Sequence, residues 1–548
     1  MKPVSRRPTP PTQIPVKTPA PALGWNTVDN LASMAPGYAV TLENFITSNQ
    51  GLSVRQGYLK WASNLPAPVT SLLVYNGRSG NNKMFAVCGG SFIDVTAGGT
   101  GSWSSAVSGQ STTAVYWEQA QQTYTQANTS CAIYVNGTDL PQVYDGSSFI
   151  TASQTAGPWT TPGVFSTNDN NGSSVNIATF IDVCLHNRRL WFVQKNSTEA
   201  FYCDIAVVGG QLYAFDFGTE FKQGGQLHKL FSWTYDSGSA TRSYLVAIST
   251  KGEFVVYTGT NPAAADTWQH YGTYKRGAPI GRRCVEQFLG DAFVLTQDGM
   301  YGMSSVLQST TVNLQQALTY LISPTISDVV STSGSLPGFE PVFYPAKNLV
   351  LLNVPQSSQA NNYQFCFNTI QKGWSKFKGW PAQCFRLFNE SLFFGGTDFV
   401  ALSFFGYKDG AAIDGSGGTG YVANALSAFN PFDETFGPGS RKQAKQIKPY
   451  LTTGQSNPQV SVGVNVDFDL VPLVGPGSVS PVTGAVWDNA IWNSPSATWV
   501  GNLSTYAEWE TVSHWPAEYL AVAISISVTS DTTWVSTEWS ILPGNTFG

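Results

Sequence analysis

The stretch YLVAISTKGEFVVY, residues 244 to 257, decides how this chain is read. Two apolar, β-branched runs flank Lys251-Gly252, a turn with the glycine that a tight reversal favours, so the segment predicts a β-hairpin. The same pattern returns in KMFAVCGGSFIDV (83 to 95), CAIYVNGTDLPQVY (131 to 144), AFVLTQDGMY (292 to 301) and LFFGGTDFVALSFF (392 to 405). Their turns fall at Gly89-Gly90, Asn136-Gly137, Asp298-Gly299 and Gly395-Gly396. A hairpin cannot bury its own apolar face, so a long series implies an array whose members cover one another. About seven units are expected, centred near residues 85, 135, 190, 245, 295, 355 and 395. The prediction is an all-β chain built on a β-propeller of roughly six to eight blades. Trp103, Trp268 and Trp374 recur near polar turns and are expected to pack on outer strands.

Outward from the hairpins, which occupy residues 65 to 410, the text changes on both sides. Residues 1 to 22 carry Lys2, Arg6, Arg7 and Lys17, no acids and many prolines, and predict an extended arm, either a disordered tail or a strap on a neighbour. Residues 23 to 64 are dense and non-repeating and end in an alternating strand around Leu52, Val54 and Gln56. A Gly-rich linker is expected over 411 to 425, where Gly415, Gly417 and Gly420 match a dinucleotide fingerprint in letters but lack its βαβ setting. Residues 426 to 548 predict a β-sandwich or platform that the N-terminal segment 23 to 64 is expected to pair into, with strands at QVSVGVNVDFDL, 485 to 492, 506 to 511 and 520 to 528. The best helix candidate is VNLQQALTYLI, 312 to 322, with Leu314, Leu318 and Leu321 on one face.

Composition narrows the function. Charged residues are 11% of the chain, against about 25% in ordinary soluble domains. Aromatics reach 13%. Such a neutral, aromatic surface suits a subunit that hides itself against neighbours, or an extracellular β-protein with polar loops. The formal charge of −5 offers no general attraction to nucleic acid or anionic membrane. Seven scattered cysteines without a CxxC pair point to assembly in a reducing cytoplasm. No apolar h-region or run of about 20 apolar residues is present, so neither a signal peptide nor a membrane anchor is expected.

Catalytic patterns are sparse. His186, His228, His270 and His514 stand far apart, and HExxH and GxSxG are absent, so no metal, cofactor or catalytic residue is assigned. Asp94, Asp182, Glu199, Asp216, Glu286 and Asp298 could in principle supply a glycosidase pair, yet most sit at strand ends or turns. Arg441, Lys442, Lys445 and Lys448 form a basic patch that is either a solvated face or a contact for phosphates or an acidic neighbour.

Two flanking segments carry a resemblance. The first contains Gly24-Trp25-Asn26-Thr27, Met34-Ala35-Pro36-Gly37-Tyr38-Ala39-Val40, Leu42-Glu43-Asn44-Phe45 and Arg55-Gln56-Gly57-Tyr58. The second contains Ala428-Phe429-Asn430-Pro431-Phe432, Arg441-Lys442-Gln443, Lys448-Pro449 and Val464-Asn465-Val466-Asp467-Phe468. Together they resemble the tail hub or nozzle proteins of short-tailed bacteriophages, the packaged-DNA stabilisation family. The resemblance implies a non-enzymatic virion subunit, assembled in the host cytoplasm into a hexameric ring. That ring would lie below the portal and adaptor proteins, extend the channel for double-stranded DNA and carry tail fibres or spikes. Trp25, Tyr38, Asn44, Arg55, Arg441, Lys442, Lys445, Lys448 and Asp467 would then lie in the platform that docks to the ring above. The alternative is a glycan-binding or glycan-degrading propeller, a receptor-binding tail protein, suggested by the Trp and Tyr content.

Overall fold

The computed structural model describes residues 12–113, 116–125, 129–236, 241–308, 313–454, 458–473 and 504–544. Residues 1–11 of the arm and the strand expected at 485–492 lie outside them. Seven antiparallel sheets follow one another along the chain. Their first strands are Val69–Tyr75, Glu118–Tyr124, Phe180–His186, Leu227–Asp236, Val285–Phe288, Glu340–Tyr344 and Cys384–Phe388. These strands neighbour one another in order and the last returns to the first, where Arg386 Nε donates to Leu72 O at 3.1 Å. The molecule is a β-propeller, and the described sheets give it seven blades.

The quoted hairpins form the middle of the blades. In the fourth, Thr241–Ser249 pairs with Glu253–Gly259, and a side chain at Gly252 (φ +80°) would strike Arg276 O at 2.3 Å. The tryptophans fall as expected: Trp268 and Trp374 lie in the fourth strands of their blades and Trp103 just before another. Trp268 stacks on Trp191 at 5.8 Å, while Trp103 and Trp374 donate to Ser63 O and Leu318 O. Each such ring adds about 1.5–3 kcal/mol of apolar burial to the seam between sheets. The seventh blade is closed by Tyr58–Ser63, which pairs with Phe399–Ser403. The propeller therefore begins before residue 65 and is latched by its own N-terminal segment.

The fifth blade has three strands, and helices complete it. The helix expected at 312–322 is replaced by 3-10 turns at Leu314–Gln316 and Tyr320–Ile322. Asn313 caps the start of the first turn, its Oδ1 accepting from Gln315 N–H at 3.0 Å. The α-helices are instead Met303–Gln308 and Ser323–Ser333. The second starts with Pro324 at its first turn, where the missing N–H costs nothing. Met303, Val306, Ile322, Ile326 and Val329 fill the core beside the fifth blade.

The platform is a sandwich grown out of the sixth blade. Beyond Trp374–Phe377 that sheet continues through Tyr38–Glu43, Tyr421–Ser427, Leu520–Val528 and Val460–Val466. Opposite it lies a second sheet of Phe45–Ser48, Gly51–Val54, Thr532–Pro543, Lys442–Thr453 and Ser504–Tyr506. Leu42, Phe45, Leu52, Ile447, Val522, Ile524, Trp534 and Trp539 are buried between them. The arm is not free over its described part: Ile14–Pro19 pairs with residues 536–541 of the chain's own last strand. The expected linker is likewise built into sheets. Asp409–Ala411 pairs with Gly417–Thr419, and Tyr421–Ser427 is an internal strand of the platform. Its glycines serve a tight hairpin rather than a free break, and the fingerprint-like letters run into a strand, not a helix.

Candidate functional site

The nine platform residues singled out by sequence fall in separate environments. Asn44 and Arg55 lie at the joint between platform and propeller. Arg55 has no exposed surface. Its guanidinium donates to both oxygens of Asp409 at 2.8 and 2.6 Å, to Asn44 Oδ1 at 2.9 Å and to the carbonyls of Gln56 and Lys378. It also lies 3.8 Å from the ring centre of Tyr421. Asn44, held at φ +60°, donates to Val422 O and accepts from Lys378 N–H. This joint consumes every polar direction of the guanidinium, so Arg55 holds the two domains and offers nothing to a partner.

Trp25 and Tyr38 sit on neighbouring strands, Gly24 facing Tyr38 and Trp25 facing Ala39. Trp25 donates to Val40 O at 3.1 Å and packs 5.6 Å from Phe365. Asp467 accepts from the N–H groups of Glu518 and Tyr519 and fixes a turn. The basic patch is divided by its strand. Lys442 is fully buried, its amine donating to the carbonyls of Pro431 and Ser440; alternation along Lys442–Thr453 turns it inward. Arg441 is exposed at the strand's start. Lys445 donates to Gln443 Oε1. Lys448 faces outward, 2.7 Å from Glu538, 4.6 Å from the Trp509 ring centre and 5.1 Å from that of Tyr450. Lys17 of the arm also lies over Tyr450, at 4.6 Å. The outer face of this sheet thus carries a cation–aromatic cluster centred on Lys448.

The strongest concentration of buried charge is elsewhere, on the propeller axis. The inner strands of neighbouring blades diverge too far to share a backbone ladder, and side chains bridge them instead. Ser71 accepts from Trp117 N–H, Gln122 donates to Arg188 O and Asp182 accepts from Leu230 N–H. Gln287 donates to Ser232 O, Glu286 accepts from Phe343 N–H and Glu340 accepts from Phe385 N–H. With Arg386 to Leu72, the circuit is complete. Each bridge satisfies a backbone group that would otherwise be buried without a partner.

Inside this circuit Arg283 crosses the axis. It donates to Ser71 Oγ at 2.6 Å and Trp117 O at 3.2 Å, and approaches Glu118 at 3.4 Å and Glu340 at 3.6 Å. Lys229 stands 3.0 Å from Asp182 and 3.5 Å from Glu118. Burial works against the Lys229 charge, but Asp182 and Glu118 more than reverse it and hold the amine above the ordinary lysine range. Burial likewise opposes ionisation of Glu118, yet Lys229, Arg283, Arg386 and Arg282 bring its carboxyl below the usual value. Glu286 has no cation in ion-pair range among the described residues, and burial pushes it up to about 7. These groups plug the axis. One hollow of about 160 Å³ lies beside Thr70, Tyr116, Gly338 and Gln383. Another of about 430 Å³ is lined by Glu118, Asp182, Lys229 and Glu286.

No family model and no curated protein matches the sequence. Among solved structures, YCF48 from Cyanidioschyzon merolae aligns with a TM-score of 0.34 at 12% identity, over 64% of this chain and 98% of its own. YCF48 bound to D1 peptide gives 0.27 at 9% identity, over 68% and 99%. The fungal Aleuria aurantia lectin, a six-bladed β-propeller, gives 0.25 at 12% identity, over 54% and 89%. Scores this low carry no functional argument, and the fold rests on the strand pairing above.

Of the axial residues, Asp182 and Glu286 alone stand among the candidate carboxylates. The signal of the axial set is a lone charge inside an apolar first strand: FIDV, LHKL, VEQF, FEPVF and CFRLF. Of the six carboxylates considered for a glycosidase pair, Asp182 and Glu286 share the axial cavity. Asp94 pairs with Lys83, Asp216 accepts from Thr198 and Asp298 accepts from Gly277 N–H. Glu199 lies in the third blade, its backbone N–H bonded to Ser197. Among the described residues, no group of three or more His, Cys, Asp or Glu side chains is placed to hold a metal ion, and no helix is long and apolar enough to cross a membrane.

Proposed function

We propose that this chain is a structural ring subunit of a short-tailed bacteriophage, a tail hub or nozzle protein that extends the DNA channel beneath the portal and adaptor. The observation that carries this reading is the union of the two resembling segments. Ala428 N–H donates to Tyr38 O, Tyr38–Glu43 shares one sheet with Val460–Val466, and Gly51–Val54 shares the other with Lys442–Thr453, so segments some 400 residues apart in sequence make one platform. A platform of this kind, mounted on a rigid propeller, suits a subunit that docks end-on and walls a channel with its flank. The plugged axis supports the same assignment of roles: duplex DNA would run between subunits, not through a propeller. The Lys448, Tyr450 and Trp509 face is the part of the platform best suited to a neighbouring ring.

Negative-stain imaging and mass measurement of the full chain, alone and with portal and adaptor, test the proposal. A closed ring with a central hole, stacked on the adaptor, is expected. A trimer, or a chain that stays monomeric and unbound in the mixture, would count against it, and turnover of a host polysaccharide lost on a single carboxylate change would favour the glycan reading.

A further inference from the structure

The larger axial cavity has an uneven inventory of donors and acceptors. Its cation, Lys229, is already held between Asp182 and Glu118. Gln119 and Gln121 spend their amides on the backbone of the first blade at Val74 and Asn76. The Gln287 amide nitrogen is spent on Ser232 O. Unspent capacity lies with the acids. The Glu118 side chain is nine-tenths buried; Arg283 Nε stands 3.4 Å from its Oε1 and answers part of its charge, yet that oxygen accepts no hydrogen bond. Glu286 accepts one hydrogen bond, from Phe343 N–H at 3.0 Å. The lining also includes Leu185, Phe231 and Val285, the last two packed against the core between the fourth and fifth blades.

A buried carboxylate kept short of donors is costly unless something supplies them. The complement of this wall is a group with several N–H donors, one positive charge and a short aliphatic stem. We propose that the axial cavity binds a primary alkylammonium, with Glu286 and Glu118 accepting its N–H groups and Leu185, Phe231 and Val285 covering its methylenes. A free aliphatic diamine and a lysine side chain of another protein share this chemistry. The site is independent of the ring assembly proposed above.

Titration calorimetry of the full chain with cadaverine, and separately with N-acetyl-lysine amide, tests this. One saturable site is expected, and the tighter of the two probes identifies the source. Glu286 faces Glu340 and Arg386 across the strand bridge and Glu118, Asp182 and Lys229 on the cavity wall, and it holds a fraction of a proton near neutral pH. An incoming ammonium therefore expels protons at pH 7, read as heats that differ between buffers of different ionisation enthalpy. Glu286→Gln keeps an oxygen for Phe343 N–H, so the blade bridge survives; it should weaken binding at least about tenfold and abolish proton release. Glu118→Gln should weaken binding while leaving proton release in place. No saturable heat up to ~10 mM, where affinity would be below about 3 kcal/mol, overturns the proposal. So does unchanged binding by Glu286→Gln, or saturable binding of inorganic phosphate that excludes cadaverine.

Discussion

Arg55 and Glu286 are both buried ionisable side chains, and they are handled in opposite ways. Arg55 has its charge answered by Asp409 and its remaining donors by carbonyls and Asn44. Replacing it by Met leaves Asp409 and Asn44 without their partner and should cost about 3–5 kcal/mol, measured by denaturant unfolding with the transition of the platform followed separately. Glu286 has no such counter-charge, and its folded pKa of about 7 is above the ordinary carboxyl value because of burial. The sign follows from that rise. Below the unfolded value both states carry the proton and nothing is lost; as pH climbs toward 7 the unfolded chain ionises first and stability falls. Glu286→Gln removes this penalty, so its gain over the parent should be small at pH 5 and roughly 1–3 kcal/mol at pH 8.5, read from melting curves at both pH values. Equal gains at the two would contradict the assignment.

At the scale of elements, the hairpins were legible because their periodicity and turns are local. Lys83–Cys88 with Ser91–Asp94, and Ser391–Gly395 with Phe399–Ser403, lie where the letters put them. The partners of Tyr58–Ser63 and Ile14–Pro19 were not legible, since each strand finds its mate more than 300 residues away and alternation names no partner. The helix at 323–333 was missed for another reason: SPTISDVVSTS is rich in β-branched and hydroxyl residues, poor helix formers that tertiary burial of Ile326 and Val329 overrides. The axial charges were visible as single letters but not as a ring, because only closure brings seven first strands together. Arm pairing yields its own prediction. Trp539 donates to Thr18 at 2.9 Å and lies beneath the arm strand. Deleting residues 1–19 should speed amide exchange in 536–541 by about tenfold or more, with the blade strands unchanged, as mass spectrometry of exchanged peptides would reveal.

For the whole molecule, the consequence of closure is that neither half of the chain owns its ends. The first half supplies the latch of the seventh blade, three strands of one platform sheet (Ile14–Pro19, Phe45–Ser48 and Gly51–Val54) and Tyr38–Glu43 of the other, and the second half supplies the strands they pair with. Cleavage in the exposed loop around Asn170–Ser174 should therefore leave two fragments that elute as one particle and part only in denaturant. A protease site inserted there and size-exclusion chromatography give the check, and separation under native conditions would refute the closure described. The pairing also sets a timetable. Thr18 and Trp539 are 521 residues apart, which at roughly 5–20 residues per second on a ribosome is about half a minute to nearly two minutes of synthesis. Throughout that interval Ile14–Pro19 has emerged with its partner strand unmade. Pro15 and Pro19, which lack an N–H to donate, leave this stretch a poor template for the many other strands appearing beside it. The prolines of the arm thus keep the first strand uncommitted until the last one exists.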